Sequence, residues 1–148
     1  MPQKVIPIRF VDQYGKPALP SDDVRQAVPV MDVSVCSPEF IGGMHAAPSI
    51  ALVDTGADLN FAKQSLVAAR TLRDNFKSVT ESSHGAMPTT VYHGKLFFPA
   101  VGLLINTDIT ADVLFNRPYD VIIGRLTLRL GCLLMDYPNN IFEWRVNS

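Results

Sequence analysis

The sequence predicts an all-β protein that folds as one domain. Its 148 residues include 11 prolines and 9 glycines, which are spread along the whole length and divide the chain into short apolar runs. Several runs alternate apolar and polar side chains with the period of two that suits a sheet with one solvated face. A chain of this length buries about 70% of its unfolded surface, which is enough for a core without disulfides or a structural metal. We therefore expect one domain over residues 1–148, with residues 1–27 as an N-terminal extension or hairpin that carries a mobile loop.

Ten strands are expected, and turn residues mark two of the connections between them. Residues 12–17 (Asp-Gln-Tyr-Gly-Lys-Pro) follow the first strand, and residues 136–140 (Asp-Tyr-Pro-Asn-Asn) join the last two. Asp, Asn, Gly and Pro favour such tight turns. In chain order the expected strands cover residues 4–11, 28–36, 50–54, 77–82, 89–98, 102–106, 112–115, 121–123, 132–136 and 141–146.

Two segments are predicted to be helical. Residues 62–75 carry apolar side chains at the spacing of one helix face. Residues 125–130 form a short apolar segment, and Gly131 follows it in the position of a C-cap.

Charge and composition exclude several classes of function. The chain has 13 Lys and Arg residues against 14 Asp and Glu residues and carries no basic stripe, so nucleic acid is not an expected partner. No apolar stretch approaches the roughly 20 residues that span a bilayer, and the N-terminus lacks the apolar core of a secretory signal. Cys36 and Cys132 have no metal-ligand spacing with the histidines. We therefore expect a cytoplasmic protein with no membrane partner, no metal and no cofactor.

Residues 49–58, Ser-Ile-Ala-Leu-Val-Asp-Thr-Gly-Ala-Asp, carry the clearest chemical signal. An apolar strand ends in an acid, a hydroxyl and a glycine, a pattern that places a carboxylate at a strand end and exposes it through a turn. Asp54 is therefore the candidate catalytic group. A second interpretation stays open, in which Asp54 is a turn carboxylate that accepts hydrogen bonds from the amides of Gly56 and Ala57.

A second motif, Tyr-Asp-Val-Ile-Ile-Gly-Arg, occupies residues 119–125. Together with the Asp-Thr-Gly-Ala loop it resembles the retropepsin family of aspartic proteases, which includes the retroviral proteases and their cellular and bacterial relatives. The resemblance extends over roughly residues 28–146. It implies a single-lobed retropepsin-like acid protease fold with one or two short helices, working as a C2 homodimer.

The resemblance also implies which residues support the site. Gly124 lies where two backbones pass too closely for a Cβ, and Ile123 precedes it in the supporting strand. Arg125 is expected to form a partly buried, bidentate ion pair with Asp58. Two solvated surface charges are the alternative interpretation of that pair.

Catalysis by this chemistry requires two carboxylates that share one proton, and the chain supplies one Asp-Thr-Gly. The resemblance therefore implies a homodimer in which Asp54 faces Asp54 of a second copy, with Thr55 and Gly56 completing the catalytic loop. The hydroxyl of Thr55 would reach the partner's backbone, and the C-terminal hairpin would supply the rest of the interface. The implied substrate-binding residues are Leu52, Ala57, Asp58, Ser83, His84, Gly85, Ala86 and Ile122, of which residues 83–86 belong to a flap.

The leading hypothesis is an aspartic endopeptidase that cleaves extended, apolar segments of a peptide or protein. A flap region with Gly85 as its one glycine motivates the alternative, a retropepsin-fold dimer that binds peptides or proteins without cleaving them. A phosphotransferase with Asp54 as nucleophile is disfavoured because its sheet would be parallel and flanked by many helices.

Overall fold

Strands dominate the structure, a computed structural model that describes residues 2–42, 48–69, 73–82, 85–112 and 117–147. These parts of the chain form twelve strands and two short helices, so the all-β prediction is confirmed. In order they are β1 (Gln3–Pro7), β2 (Arg9–Val11), β3 (Pro17–Ala18), β4 (Val28–Cys36), β5 (Ser49–Val53), β6 (Phe61–Lys63), α1 (Gln64–Ala69), β7 (Arg73–Ser82), β8 (Gly85–Phe98), β9 (Leu103–Asp112), β10 (Val121–Ile123), α2 (Arg125–Leu128), β11 (Gly131–Asp136) and β12 (Ile141–Asn147).

Nine strands form one large sheet in the order β3-β2-β4-β5-β10-β6-β9-β8-β7. Because β4 also pairs with β8, the part from β4 to β8 closes on itself. The closed part surrounds the core, since strand residues that point inward are apolar and buried. The largest core side chains in the closed part include Met31, Val33, Leu96, Phe98 and Ile109.

The remaining strands form a small antiparallel sheet in the order β1-β12-β11. Trp144 of β12 is fully buried, lies 5.4 Å from the ring of Phe98, and donates its indole N–H to the carbonyl oxygen of Leu128 at 3.1 Å. The N-terminal chain crosses from the small sheet to the large one at Ile8, and both Ile6 and Ile8 are buried. The first residues are therefore an integral part of the core.

Both predicted turns are confirmed. The amide of Asp12 donates to the carbonyl of Lys16 at 2.8 Å, and Gly15 adopts a φ of 78°. In the second turn the amide of Asn139 donates to the carboxylate of Asp136 at 3.2 Å, and Asn140 adopts a φ of 54°. Asparagine and glycine tolerate this left-handed backbone better than other residues.

The long helix predicted over residues 62–75 is wrong. Residues Phe61–Lys63 instead form β6, which is antiparallel to β10 and parallel to β9, and the described helix covers only Gln64–Ala69. Strand β7 then begins at Arg73. Hydrogen bonding to two neighbouring strands outweighs an apolar pattern that would also suit a helix.

Two further expectations need correction or fall outside the described chain. Gly131 is not a helix C-cap, because it begins β11, where a Cβ would lie 2.2 Å from the carbonyl oxygen of Arg145. The strand predicted over residues 102–106 extends from Leu103 to Asp112, and most of the one predicted over 112–115 lies outside the described residues.

Within the described chain, no helix is long and apolar enough to cross a membrane.

Candidate active site

The two sequence motifs meet because β5 and β10 are parallel neighbours. Leu52 lies opposite Ile122, and Val53 lies opposite Ile123. The amide of Asp54 then donates to the carbonyl oxygen of Ile123 at 3.0 Å, one residue beyond the paired strand. Asp54 is thus held at the end of β5. Asp54 itself is half-buried.

A tight turn follows Asp54 and fixes its carboxylate. The amide of Gly56 donates to Oδ1 of Asp54 at 2.9 Å, as the turn interpretation predicts. The amide of Ala57 donates instead to the main-chain oxygen of Asp54, at 3.2 Å. Thr55 and Gly56 are exposed, so the turn presents the end of the loop to the outside of the chain.

Gly124 lies where the loop that follows Asp54 and the start of α2 come closest. A Cβ at this position would lie 2.2 Å from the carbonyl oxygen of Leu59 and 2.8 Å from that of Ala57. The close approach lets the amide of Arg125 donate to Ala57 and the amide of Leu126 donate to Asp58, each at 2.9 Å. Only glycine fits there, for the steric reason that the sequence analysis gives.

The ion pair between Asp58 and Arg125 forms, with Nη2 of the arginine donating to Oδ1 of the carboxylate. Its side chains are 61% exposed for Arg125 and 76% exposed for Asp58, so the expectation of a partly buried pair is wrong for the single chain. An exposed pair of this kind contributes little to the stability of the fold.

The predicted substrate-binding residues fall into two groups. Leu52, Ile122 and Ala57 are half-buried beside the Asp54 turn, and Asp58 follows them at the surface. Ser83 and His84 lie outside the described residues. The backbones of Gly85 and Ala86 begin β8 and pair with those of Ser82 and Glu81 in antiparallel β7, and a flap here stays a prediction.

Asn60 and Thr127 are site residues that the sequence analysis misses. Both are fully buried, and Nδ2 of Asn60 donates to Oγ1 of Thr127 at 2.6 Å. The amide of Gly124 donates to Oδ1 of Asn60 at 3.1 Å, so this side chain contacts the glycine of the second motif. In the sequence, Asn60 is a single polar residue between Leu59 and Phe61. That pattern does not distinguish a buried, hydrogen-bonded asparagine from one in an exposed loop.

Tyr119 interacts electrostatically with Asp54, and the sequence analysis gives it no role. The residue is buried, and this burial raises the pKa of its phenol above the ordinary 10.0. The positive charge of Arg117 opposes the shift, while the negative charge of Asp54 adds to it. The phenol therefore stays neutral beside the candidate catalytic carboxylate.

The described residues contain no group of three or more His, Cys, Asp or Glu side chains that could hold a metal ion. The chemistry that this part of the chain offers is that of a carboxylate at a strand end. Alone, one carboxylate can accept a proton or bind a cation, and a second one beside it would allow the two to share a proton.

Comparison with known proteins identifies the fold. No protein-family model and no curated protein sequence matches the chain. The structure of the EIAV protease complexed with the inhibitor HBY-793 aligns with 76% of this chain and 91% of its own length, with a TM-score of 0.52 and 17% sequence identity. The solution structure of the simian foamy virus (mac) protease aligns with 68% of this chain and 91% of its own, with a TM-score of 0.46 and 12% identity. The likeness to the first structure confirms the predicted single-lobed, retropepsin-like fold, and the C2 dimer stays a prediction.

Proposed function

We propose that the chain is an aspartic endopeptidase that works as a C2 homodimer. The observation that carries the proposal is the anchored Asp-Thr-Gly turn, in which Asp54 is hydrogen bonded to Ile123 and its carboxylate is oriented by the amide of Gly56. The retropepsin-like fold supports the same proposal, because the protease structure that this chain resembles has that fold. The substrate would be an extended, apolar segment of a peptide or protein.

The homodimer follows from the number of carboxylates. The chain has one Asp-Thr-Gly, whereas peptide hydrolysis by this chemistry requires two carboxylates that share one proton. A two-fold axis beside the exposed Thr55 and Gly56 would bring Asp54 of each copy together. Two carboxylates held about 3 Å apart cannot both be ionised, so one remains protonated.

Each carboxylate then has a separate task. The protonated Asp54 donates a hydrogen bond to the oxygen of the scissile carbonyl, and the ionised Asp54 of the partner takes a proton from water. The oxygen of that water attacks the carbonyl carbon and forms a tetrahedral intermediate. Transfer of a proton to the nitrogen and cleavage of the C–N bond release an amine and a carboxylic acid. One proton remains shared by the two carboxylates, and no metal or cofactor is needed.

Strand β11 is the proposed centre of the dimer interface. Within the described chain it pairs only with β12, so its other edge has unpaired backbone groups. Leu133, Leu134 and Met135 follow one another along this strand without a charge. An edge strand with an uncharged centre favours pairing with another strand, and a second β11 would pair with it across a two-fold axis.

The substrate is proposed to bind as an added strand between the Asp54 turn and the flap. Leu52 and Ile122, which are neighbours in the parallel pair, would contact an apolar side chain beside the scissile bond. Ala57 and Asp58 would contact the peptide backbone. In the flap, Ser83, His84, Gly85 and Ala86 would cover the substrate from the other side.

The test is proteolysis of an unstructured protein from about pH 4 to 7, with cleavage sites read by mass spectrometry. We expect cleavage between apolar residues by the wild type, inhibition by a statine-type transition-state mimic, and no cleavage by Asp54→Asn. Asp32→Asn is the matched control, because Asp32 is exposed and pairs with Arg9 away from the site. If neither wild type nor Asp54→Asn cleaves while sedimentation shows a folded dimer, the alternative of a peptide-binding or protein-binding module replaces the endopeptidase.

A further inference from the structure

We propose that Asn60 is a positioning residue that holds the catalytic loop in register, an inference that rests on the proposed endopeptidase function. Its side chain is fully buried although its amide is strongly polar. A buried amide without hydrogen bonds would be costly, so its partners indicate why the residue is there.

The side-chain amide of Asn60 contacts α2, β9 and Gly124, the residue that precedes α2. Nδ2 donates to Oγ1 of Thr127 in α2 at 2.6 Å and to Oγ1 of Thr107 in β9 at 3.1 Å. Oδ1 accepts the amide hydrogen of Gly124 at 3.1 Å. Both donor hydrogens and the acceptor of one amide are therefore used, an arrangement that neither a carboxylate nor an apolar side chain can reproduce.

These bonds anchor the far end of the catalytic loop. At the near end, the amide of Asp54 donates to Ile123. At the far end, Asn60 binds Gly124, the next residue along the same partner segment. The seven-residue connection from Asp54 to Asn60 is thus fastened at both ends to one short segment, residues 123–124.

Anchoring matters because the proposed chemistry depends on the separation of two carboxylates. Each copy contributes one loop, so a displacement of either loop changes the distance between the two Asp54 side chains. A displacement of about 1 Å can lower the rate about 100-fold. A larger separation would also weaken the coupling that keeps the two apparent pKa values of the pair apart.

The test compares Asn60→Leu with Val67→Ala in the dimeric protein. Leucine has nearly the shape of asparagine but makes none of the three hydrogen bonds. Val67 is buried in α1, away from the loop, and serves as a control for lost stability alone. For each variant we would measure the melting temperature, kcat, KM and the pH profile of kcat/KM.

We expect Asn60→Leu to lower kcat about 100-fold with a small change in KM, and to bring the two apparent pKa values of the profile closer together. Val67→Ala should lower the melting temperature and leave kcat and the profile unchanged. If Asn60→Leu does not fold, Thr127→Val removes one of the hydrogen bonds and should lower kcat about tenfold, with the same change in the profile.

Two outcomes would count against the inference, and they can be told apart. Asn60 and Thr127 variants that lose stability but keep the wild-type kcat and pH profile would show a merely structural role and leave the endopeptidase intact. A wild-type protein without Asp54-dependent cleavage would refute the proposed function itself, and the positioning role would fall with it.

Discussion

Replacing Gly124 with alanine is the sharpest test of how the loop from Asp54 to Asn60 is held. The new Cβ would lie 2.2 Å from the carbonyl oxygen of Leu59, whereas real Cβ atoms essentially never lie closer than 3.0 Å. The two backbones must therefore separate by about 0.8 Å at this point. Both oxygens that the Cβ meets belong to backbone, so no side chain can rotate out of the way.

The expected magnitude follows from the hydrogen bonds that this separation breaks. Arg125 donates to Ala57 at 2.9 Å, Leu126 donates to Asp58 at 2.9 Å, and Gly124 donates to Asn60 at 3.1 Å. Lengthening each by most of an ångström takes it beyond hydrogen-bonding distance. At about 1 kcal/mol net for each bond, Gly124→Ala should cost about 3 kcal/mol. For a chain of this size that corresponds to a fall in melting temperature of about 6–12 °C.

The assay is thermal unfolding followed by circular dichroism, together with proteolysis at a temperature where both variants are folded. Gly102→Ala is the matched control, because nothing lies within 4 Å of its Cβ and only its φ of 65° disfavours alanine. That strain costs about 1–2 kcal/mol, and Gly102→Ala should retain activity. If Gly124→Ala melts no lower than Gly102→Ala and cleaves like the wild type, the argument from the close approach is refuted.

Three further predictions concern the surroundings of the site. Because the pKa of Tyr119 is raised in the folded state, the stability linked to its neutral form is complete below the unfolded pKa of 10.0 and is lost as the pH rises above it, through the higher folded-state pKa. Tyr119→Phe should therefore flatten the fall in melting temperature above about pH 10, and Tyr14→Phe, at a residue that is 77% exposed, should not. Arg125→Ala should cost less than about 1 kcal/mol, an effect that high salt removes; a fall in melting temperature above about 4 °C would contradict an exposed pair. Deletion of residues 1–8 removes β1 and two buried isoleucines, so we expect no cooperative thermal transition, and wild-type-like melting would show that this segment is dispensable.

Short-range patterns account for the parts of the fold that the sequence predicts. The period of two and the turn residues locate most strands to within a few residues, since both depend on neighbours along the chain. The helix prediction over residues 62–75 is wrong because the structure there depends on contacts with residues distant in the sequence. Residues Phe61–Lys63 become a strand because β9 and β10, which are distant in sequence, lie on either side of them.

The candidate site divides in the same way. The sequence identifies Asp54 and Gly124 because each lies at the end of an apolar strand in a motif that resembles those of the retropepsins. It overestimates the burial of the Asp58 and Arg125 pair, because exposure depends on what covers the pair rather than on which residues form it. Asn60 is missed because its partners Thr107 and Thr127 are remote in the chain.

The sequence by itself determined that the chain is an all-β domain with an Asp-Thr-Gly loop and an apolar strand that ends in glycine. These features are local, so the order of residues is sufficient to define them. Only the tertiary structure decided that the two motifs meet at the ends of parallel β5 and β10, and that a buried amide fastens the loop between them. Strand pairing decides which backbone groups come within about 3 Å of one another. That pairing depends on the whole fold and not on neighbours along the chain.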